Sequence, residues 1–140
     1  MALLAPNRDH QELGGAIARV VDSERPIFKD DDDKRKTTAL VLAVAFRESG
    51  FILGAVGDGG HSYCAMQIHD SNGGTRELLT NADACIRKGL STLRISVRVC
   101  PEHPIAWYAS GPAGCANARA QRISRDRTSI AQRLVREVSP

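Results

Sequence analysis

Ala39-Leu40-Val41-Leu42-Ala43-Val44-Ala45-Phe46 carries no charge and no polar side chain, and Arg47-Glu48-Ser49-Gly50 follows it at once. A helix built from such a run is apolar on every side, so other elements must enclose it. The uncharged stretch from Thr37 to Phe46 reaches only about half the length needed to cross a bilayer. A membrane span is therefore excluded, and the run reads as the central buried helix of a globular domain, from about Asp32 to Ser49. Upstream, Leu13, Ala16, Ile17, Val20 and Val21 recur at three- and four-residue spacing. They predict an amphipathic helix that Asp9 caps and Pro26 ends. Lys29-Asp30-Asp31-Asp32-Asp33-Lys34 matches an enterokinase site in letters, but helical sequence on both sides makes it an acidic lead-in that favours the next helix dipole.

Downstream the chain turns glycine-rich, with Gly50, Gly54, Gly57, Gly59, Gly60, Gly73 and Gly74. Long loops of this kind in compact domains are usually functional. Met66-Gln67-Ile68 predicts a short extended segment within it. A helix is expected over 82–99, with Ile86, Leu90, Leu93 and Val97 on one face. A short helix follows over 105–110, stopped by Gly111-Pro112. Ile130, Leu134, Val135 and Val138 give a C-terminal amphipathic helix with an arginine-rich outer face. The expected class is thus all-α, with a long glycine-rich loop and at most a tiny β element.

The whole chain has 140 residues, 42% apolar, 25% charged and only 4% aromatic. That predicts one folded domain with an aliphatic core and a flexible N-terminus over 1–8. Residues 76–140 hold eleven Lys/Arg against five Asp/Glu, whereas 37–75 hold one Arg against three carboxylates. A basic C-terminal half fits a nucleic acid or an anionic polymer. No aromatics are interleaved with the arginines, so nucleic acid is not expected. Cys64, Cys85, Cys100 and Cys115 lack CxxC spacing, which argues against a zinc ribbon or a redox motif. Two disulfides in an oxidising compartment are expected. Three connectivities are open; Cys64–Cys85 with Cys100–Cys115 is weakly favoured because each ties a loop to its neighbouring helix. A metal site from His61, Cys64 and His69 would lack an obvious fourth ligand. Neither a metal nor a cofactor is expected. Met1-Ala2-Leu3-Leu4-Ala5-Pro6 has no basic start and too short an apolar stretch for an intact signal peptide.

Glu48 is the leading candidate for chemistry. It falls where the most hydrophobic helix gives way to the glycine loop. A carboxyl there is partly desolvated and near the negative end of the helix dipole, and both influences disfavour its charged form. A carboxylic acid that keeps its proton near neutral pH is what glycosidic cleavage requires, because the leaving oxygen must be protonated as its bond breaks.

Three segments occur together and in order. Arg47-Glu48-Ser49-Gly50-Phe51, the stretch from Ala55 to Ile68 ending in Cys64-Ala65-Met66-Gln67, and Ala106-Trp107-Tyr108-Ala109-Ser110-Gly111 resemble the Glu-Ser, Gly-Leu-Met-Gln and Ala-Tyr-Asn-Ala-Gly motifs of lytic transglycosylases in the lysozyme-like superfamily. The resemblance covers roughly residues 37–115. It implies a lysozyme-like fold with a groove for peptidoglycan strands and Glu48 as the single acid and base. Glu48 would protonate the oxygen between N-acetylmuramic acid and N-acetylglucosamine, then accept a proton from the muramoyl 6-hydroxyl as a 1,6-anhydro ring closes. Ser49, Met66, Gln67 and Tyr108 match family positions at the substrate. Tyr63, in the polar loop, is the better stacking candidate, and Trp107 fits core or sugar platform equally.

Two departures bear on the outcome. Cys64-Ala65 stands where the family has Gly-Leu, and Ala109 where it has Asn. If a second carboxylate held a water, a lysozyme-type hydrolysis would replace ring closure. Asp58 and Asp70 are the candidates, and Gly57-Asp58-Gly59 is also ordinary turn chemistry. A non-catalytic peptidoglycan-binding module is the rival from another class. The expected setting is extracytoplasmic, as a periplasmic, secreted or phage-delivered protein, with the chain a monomer on glycan strands.

Overall fold

The computed structural model describes residues 1–6, 9–30 and 32–137. Helix accounts for 66% of the structure, beside one small three-stranded sheet, so the mainly helical class holds. The elements are α1 (Gln11–Ser23), α2 (Asp33–Ser49), β1 (Val56–Gly57), β2 (Ser62–Tyr63), β3 (Ile68–His69), α3 (Ala82–Val99), α4 (Ala106–Ser110) and α5 (Ala118–Glu137). Short 3-10 turns lie at Asp58–Gly60, Asp70–Asn72, Arg76–Leu79 and Gly111–Ala116. The chain divides into two compact units, Met1–Arg25 with Val44–Gly89, and Pro26–Ala43 with Leu90–Pro140. Both α2 and α3 therefore begin in one unit and end in the other. Among the described residues no helix is long and apolar enough to cross a membrane.

In the first unit α1 buries Leu13, Ala16, Ile17, Val20 and Val21, the stripe its periodicity predicts. Asp9 accepts the Gln11 N–H at 3.0 Å, but His10 occupies the N-cap. The helix thus starts one residue later than a cap at Asp9 requires. The sheet is antiparallel in the order β1-β2-β3, with Val56 opposite Tyr63 and Ser62 opposite His69. Ala65 and Met66, between β2 and β3, and Ile68 of β3 are buried. Gly89 in α3 explains how Met66 fits. A Cβ there would lie 2.7 Å from Met66 Cγ and Cε, closer than carbon atoms approach. Gly89→Ala is therefore expected to destabilise by about 1–3 kcal/mol through overpacking, despite alanine's better helix propensity. Thermal unfolding of the variant measures this, and a rise in Tm would contradict it.

In the second unit the first part of α2 buries Ala39, Leu40, Val41 and Ala43. Asp33 accepts the Phe28 N–H at 2.7 Å and the Thr37 hydroxyl at 3.3 Å, so the acidic run folds as a lead-in to the helix. Lys36 closes on Asp30 at 2.7 Å; Asp31 lies outside the described residues. Leu90, Leu93 and Ser96 of α3 are buried, as are Ala120, Ser124, Ile130, Ala131 and Leu134 of α5. Val138, expected on the apolar face of α5, lies outside the described residues. Cys100 is disulfide-bonded to Cys115 and packs with Ala106 and Ala120, against which Trp107 and Ala109 lie partly buried.

Candidate active site

Glu48 occupies the last turn of α2, one turn beyond the fully buried Val44. Its own side chain is half-buried. It therefore stands at the edge of the core and at the carbonyl end of the helix, as its position in the sequence predicts. The helix stops because two successive residues turn left-handed, Gly50 at φ 64° and Phe51 at φ 66°. Glycine adopts that conformation freely, whereas phenylalanine does so at a cost of about 1–3 kcal/mol. Burial of the Phe51 ring offsets the strain. The ring is 6% exposed, 5.7 Å from Phe46 and edge-on to His10 at 5.4 Å.

Ser49 joins this turn to the loop beyond. Its hydroxyl donates to the Ala65 carbonyl at 2.9 Å, with the Ala45 carbonyl a longer alternative at 3.2 Å, and accepts the Ile52 N–H at 3.1 Å. The residue beside Glu48 is thus pinned to the residue beside Met66. In the loop, Asp58, Cys64 and Gln67 also take positive φ, at 51°, 69° and 48°. Among the described residues, they and Phe51 are the non-glycine residues with positive φ, all within a stretch of seventeen residues after Glu48. Strained backbone of this kind gathers at functional sites. Cys64 is held by its disulfide to Cys85 and by its N–H to the Ala55 carbonyl at 2.9 Å. Gln67 folds inward, its amide donating to the Ala55 and Cys64 carbonyls at 3.1 and 3.0 Å. Both amide protons are therefore committed to the loop itself. The Tyr63 hydroxyl donates to the Gly60 carbonyl at 2.7 Å and its ring is half-buried. Met66 is fully buried.

Asp58 and Asp70 are both exposed and both engaged. Asp58 accepts the Ser62 hydroxyl at 2.5 Å. Asp70 meets His61 Nδ1 at 2.7 Å and His69 Nδ1 at 3.1 Å, and the two imidazoles stack at 6.0 Å. The Cys64 sulfur is spent in the disulfide, so the His61, Cys64, His69 metal alternative is withdrawn. The hydrogen bond from His61, aided by the nearby His69 charge, holds the Asp70 carboxyl below its ordinary value. A depressed carboxyl contributes stability above its unfolded pKa, near 3.9, and loses it as pH falls through the lower folded value. An NMR titration should place the Asp70 midpoint below about 3.9, and His61→Ala should move it upward. An unchanged midpoint would show that His61 does not hold the carboxyl.

Glu48, Ser49, Tyr63, Met66, Gln67, Asp58 and Asp70 all belong to the first unit. Tyr108, on α4, belongs to the second. There its N–H donates to Ser96 Oγ at 3.0 Å, and the Ser96 hydroxyl donates to the Pro104 carbonyl at 2.5 Å. Ser124 Oγ accepts the Ile105 N–H at 3.0 Å. Ser96 and Ser124 thus position the segment that carries Tyr108, a role not expected from the sequence. The available signal was a small polar residue in the apolar stripe of an amphipathic helix, since a buried hydroxyl has to find partners. Searches of protein-family models, curated proteins and solved structures find no match to this chain.

Proposed function

We propose that this chain is a lysozyme-like, peptidoglycan-cleaving enzyme, a lytic transglycosylase whose single acid and base is Glu48. The observation that carries the reading is the construction around that residue. A half-buried carboxyl ends a buried helix, and Ser49 ties its turn to the loop bearing Met66 and Gln67. The backbone supports the resemblance at one informative position. Cys64, which stands where the family has glycine, takes the left-handed conformation that glycine favours, at φ 69°. A small sheet directly after the glutamate-bearing helix agrees with the same fold.

In this mechanism Glu48 protonates the glycosidic oxygen between N-acetylmuramic acid and N-acetylglucosamine. Its carboxylate then accepts the proton of the muramoyl 6-hydroxyl as that oxygen closes on C1, leaving a 1,6-anhydro end. The reading keeps Glu48 as the single acid and base, with the loop carboxylates engaged by protein partners, Asp58 by Ser62 and Asp70 by His61 and His69. An inverting hydrolase needs a carboxylate holding water about 6.5–9.5 Å from the acid. Two disulfides agree with an extracytoplasmic setting.

The test is to incubate purified peptidoglycan with the protein and identify soluble products by mass spectrometry. Anhydro-muropeptides are expected. Reducing-end products would make the chain a hydrolase and return Asp58 and Asp70 to consideration. Pelleting with the wall without product release would make it a binding module.

A further inference from the structure

α5 turns a row of arginines outward. Arg119, Arg122, Arg125, Arg133 and Arg136 are all exposed. Their spacing places them on one face of the helix, over about 25 Å of its axis. Arg119, Arg122, Arg125 and Arg136 form no ion pair with another described residue, and Arg133 lies only loosely against Glu137 at 3.8 Å. Asp126, the acidic residue within the row, is bonded to Arg127 at 2.8 Å, whose side chain is 15% exposed. The stripe therefore keeps a concentrated positive charge. Beside it lies a groove of about 250 Å³ lined by Glu102, His103, Arg125, Ser129 and Gln132. Guanidinium groups in series suit phosphodiesters, which they grip through two parallel hydrogen bonds. The Ser129 hydroxyl and Gln132 amide suit neutral hydroxylated units, and Glu102 keeps anions to the arginine edge.

We propose that this face of α5 docks a linear polyol-phosphate polymer of a cell wall, with phosphates on the arginines and hydroxylated units in the groove. Single-stranded nucleic acid fits less well, because α5 has no aromatic side chain on which bases could stack. An anionic membrane fits less well too. The large apolar residues of α5 are buried, as Ile130 and Leu134, or half-buried, as Ile123 and Val135, leaving no exposed one to enter lipid. The choice of a cell-wall polymer rests on the proposed function, but the surface lies wholly in the second unit, so polymer binding and glycan cleavage can fail separately.

The experiment is fluorescence anisotropy with labelled poly(glycerol phosphate) at 50 to 200 mM NaCl. If the five arginines each neutralise a phosphate on a flexible chain, log affinity should fall with log salt at a slope of about −3.5, roughly 100-fold over this range. Arg119→Gln/Arg122→Gln/Arg125→Gln should flatten the slope to about −1.4, roughly 7-fold. The same triple change to Lys should keep the slope, since charge is retained, while weakening affinity. Gln132→Ala should weaken affinity without altering the slope, and Glu48→Gln should change neither. These exposed substitutions preserve helix propensity, and circular dichroism checks the fold. An unchanged slope in the glutamine triple, or equally tight binding of single-stranded DNA, of duplex DNA or of anionic vesicles, would overturn the proposal.

Discussion

Glu48→Gln is expected to lower muropeptide release by about 100- to 10,000-fold, the usual contribution of a positioned general acid. Glutamine keeps the size and can hydrogen-bond, but it has no proton to deliver to a leaving oxygen. The side chain is half-buried at a helix end rather than in the core, so the substitution should leave Tm within about 1 kcal/mol equivalent. That separation of activity from stability distinguishes a chemical role from a structural one. Glu48→Asp is informative beside it, because the acid is retained but drawn back towards the backbone. A misplacement of about 1 Å can cost on the order of 100-fold. Release of soluble fragments from purified wall, followed at equal protein concentration, measures both variants. A Glu48→Gln protein that cuts at the wild-type rate would remove Glu48 from the mechanism.

The second large effect is expected at Cys64. Its disulfide to Cys85 closes a loop of sequence separation 21, and in the chain-entropy account such a link contributes about 3 kcal/mol. Cys64→Ala/Cys85→Ala should lose that amount and also leave alanine in a left-handed conformation. Cys64→Gly/Cys85→Ala loses the same covalent link but removes the Cβ that makes φ 69° costly. The glycine pair should therefore be more stable than the alanine pair by about 1 kcal/mol. Chemical denaturation of the three proteins gives both differences. Equal stability of the glycine and alanine pairs would show that the left-handed backbone at Cys64 costs nothing. Ser49 reaches the neighbouring carbonyl of Ala65, so activity of the folded variants also tests how far this loop supports Glu48.

The large elements were readable because helix periodicity is a local property. The stripe of Leu13, Ala16, Ile17, Val20 and Val21 is buried as predicted, and α3 runs over the expected 82–99. The apolar run of α2 is buried at six of its eight positions and half-buried at the other two, Leu42 and Phe46, as an all-round apolar helix requires. Boundaries were less readable. His10 rather than Asp9 occupies the first cap, and α4 begins at Ala106 after Ile105. The choice at a helix end rests on single hydrogen bonds, which many residue types can supply.

Residue types and their spacing were enough to mark Glu48 as the group to examine and the cysteines as two bridges, because charge, apolar runs and cysteine count are written in the chain itself. Which cysteines meet, and what the loop residues do, depended on the tertiary structure. Gln67 carries an amide suited to a ligand, yet its protons go to the Ala55 and Cys64 carbonyls. Asp70 looks in sequence like any loop carboxylate, yet two histidines hold it. Ser96 and Ser124 look like interruptions of an apolar face, yet they anchor the segment leading to Tyr108. A polar side chain takes its role from the partners that folding brings within about 3 Å, and those partners come from positions that local sequence pattern does not connect.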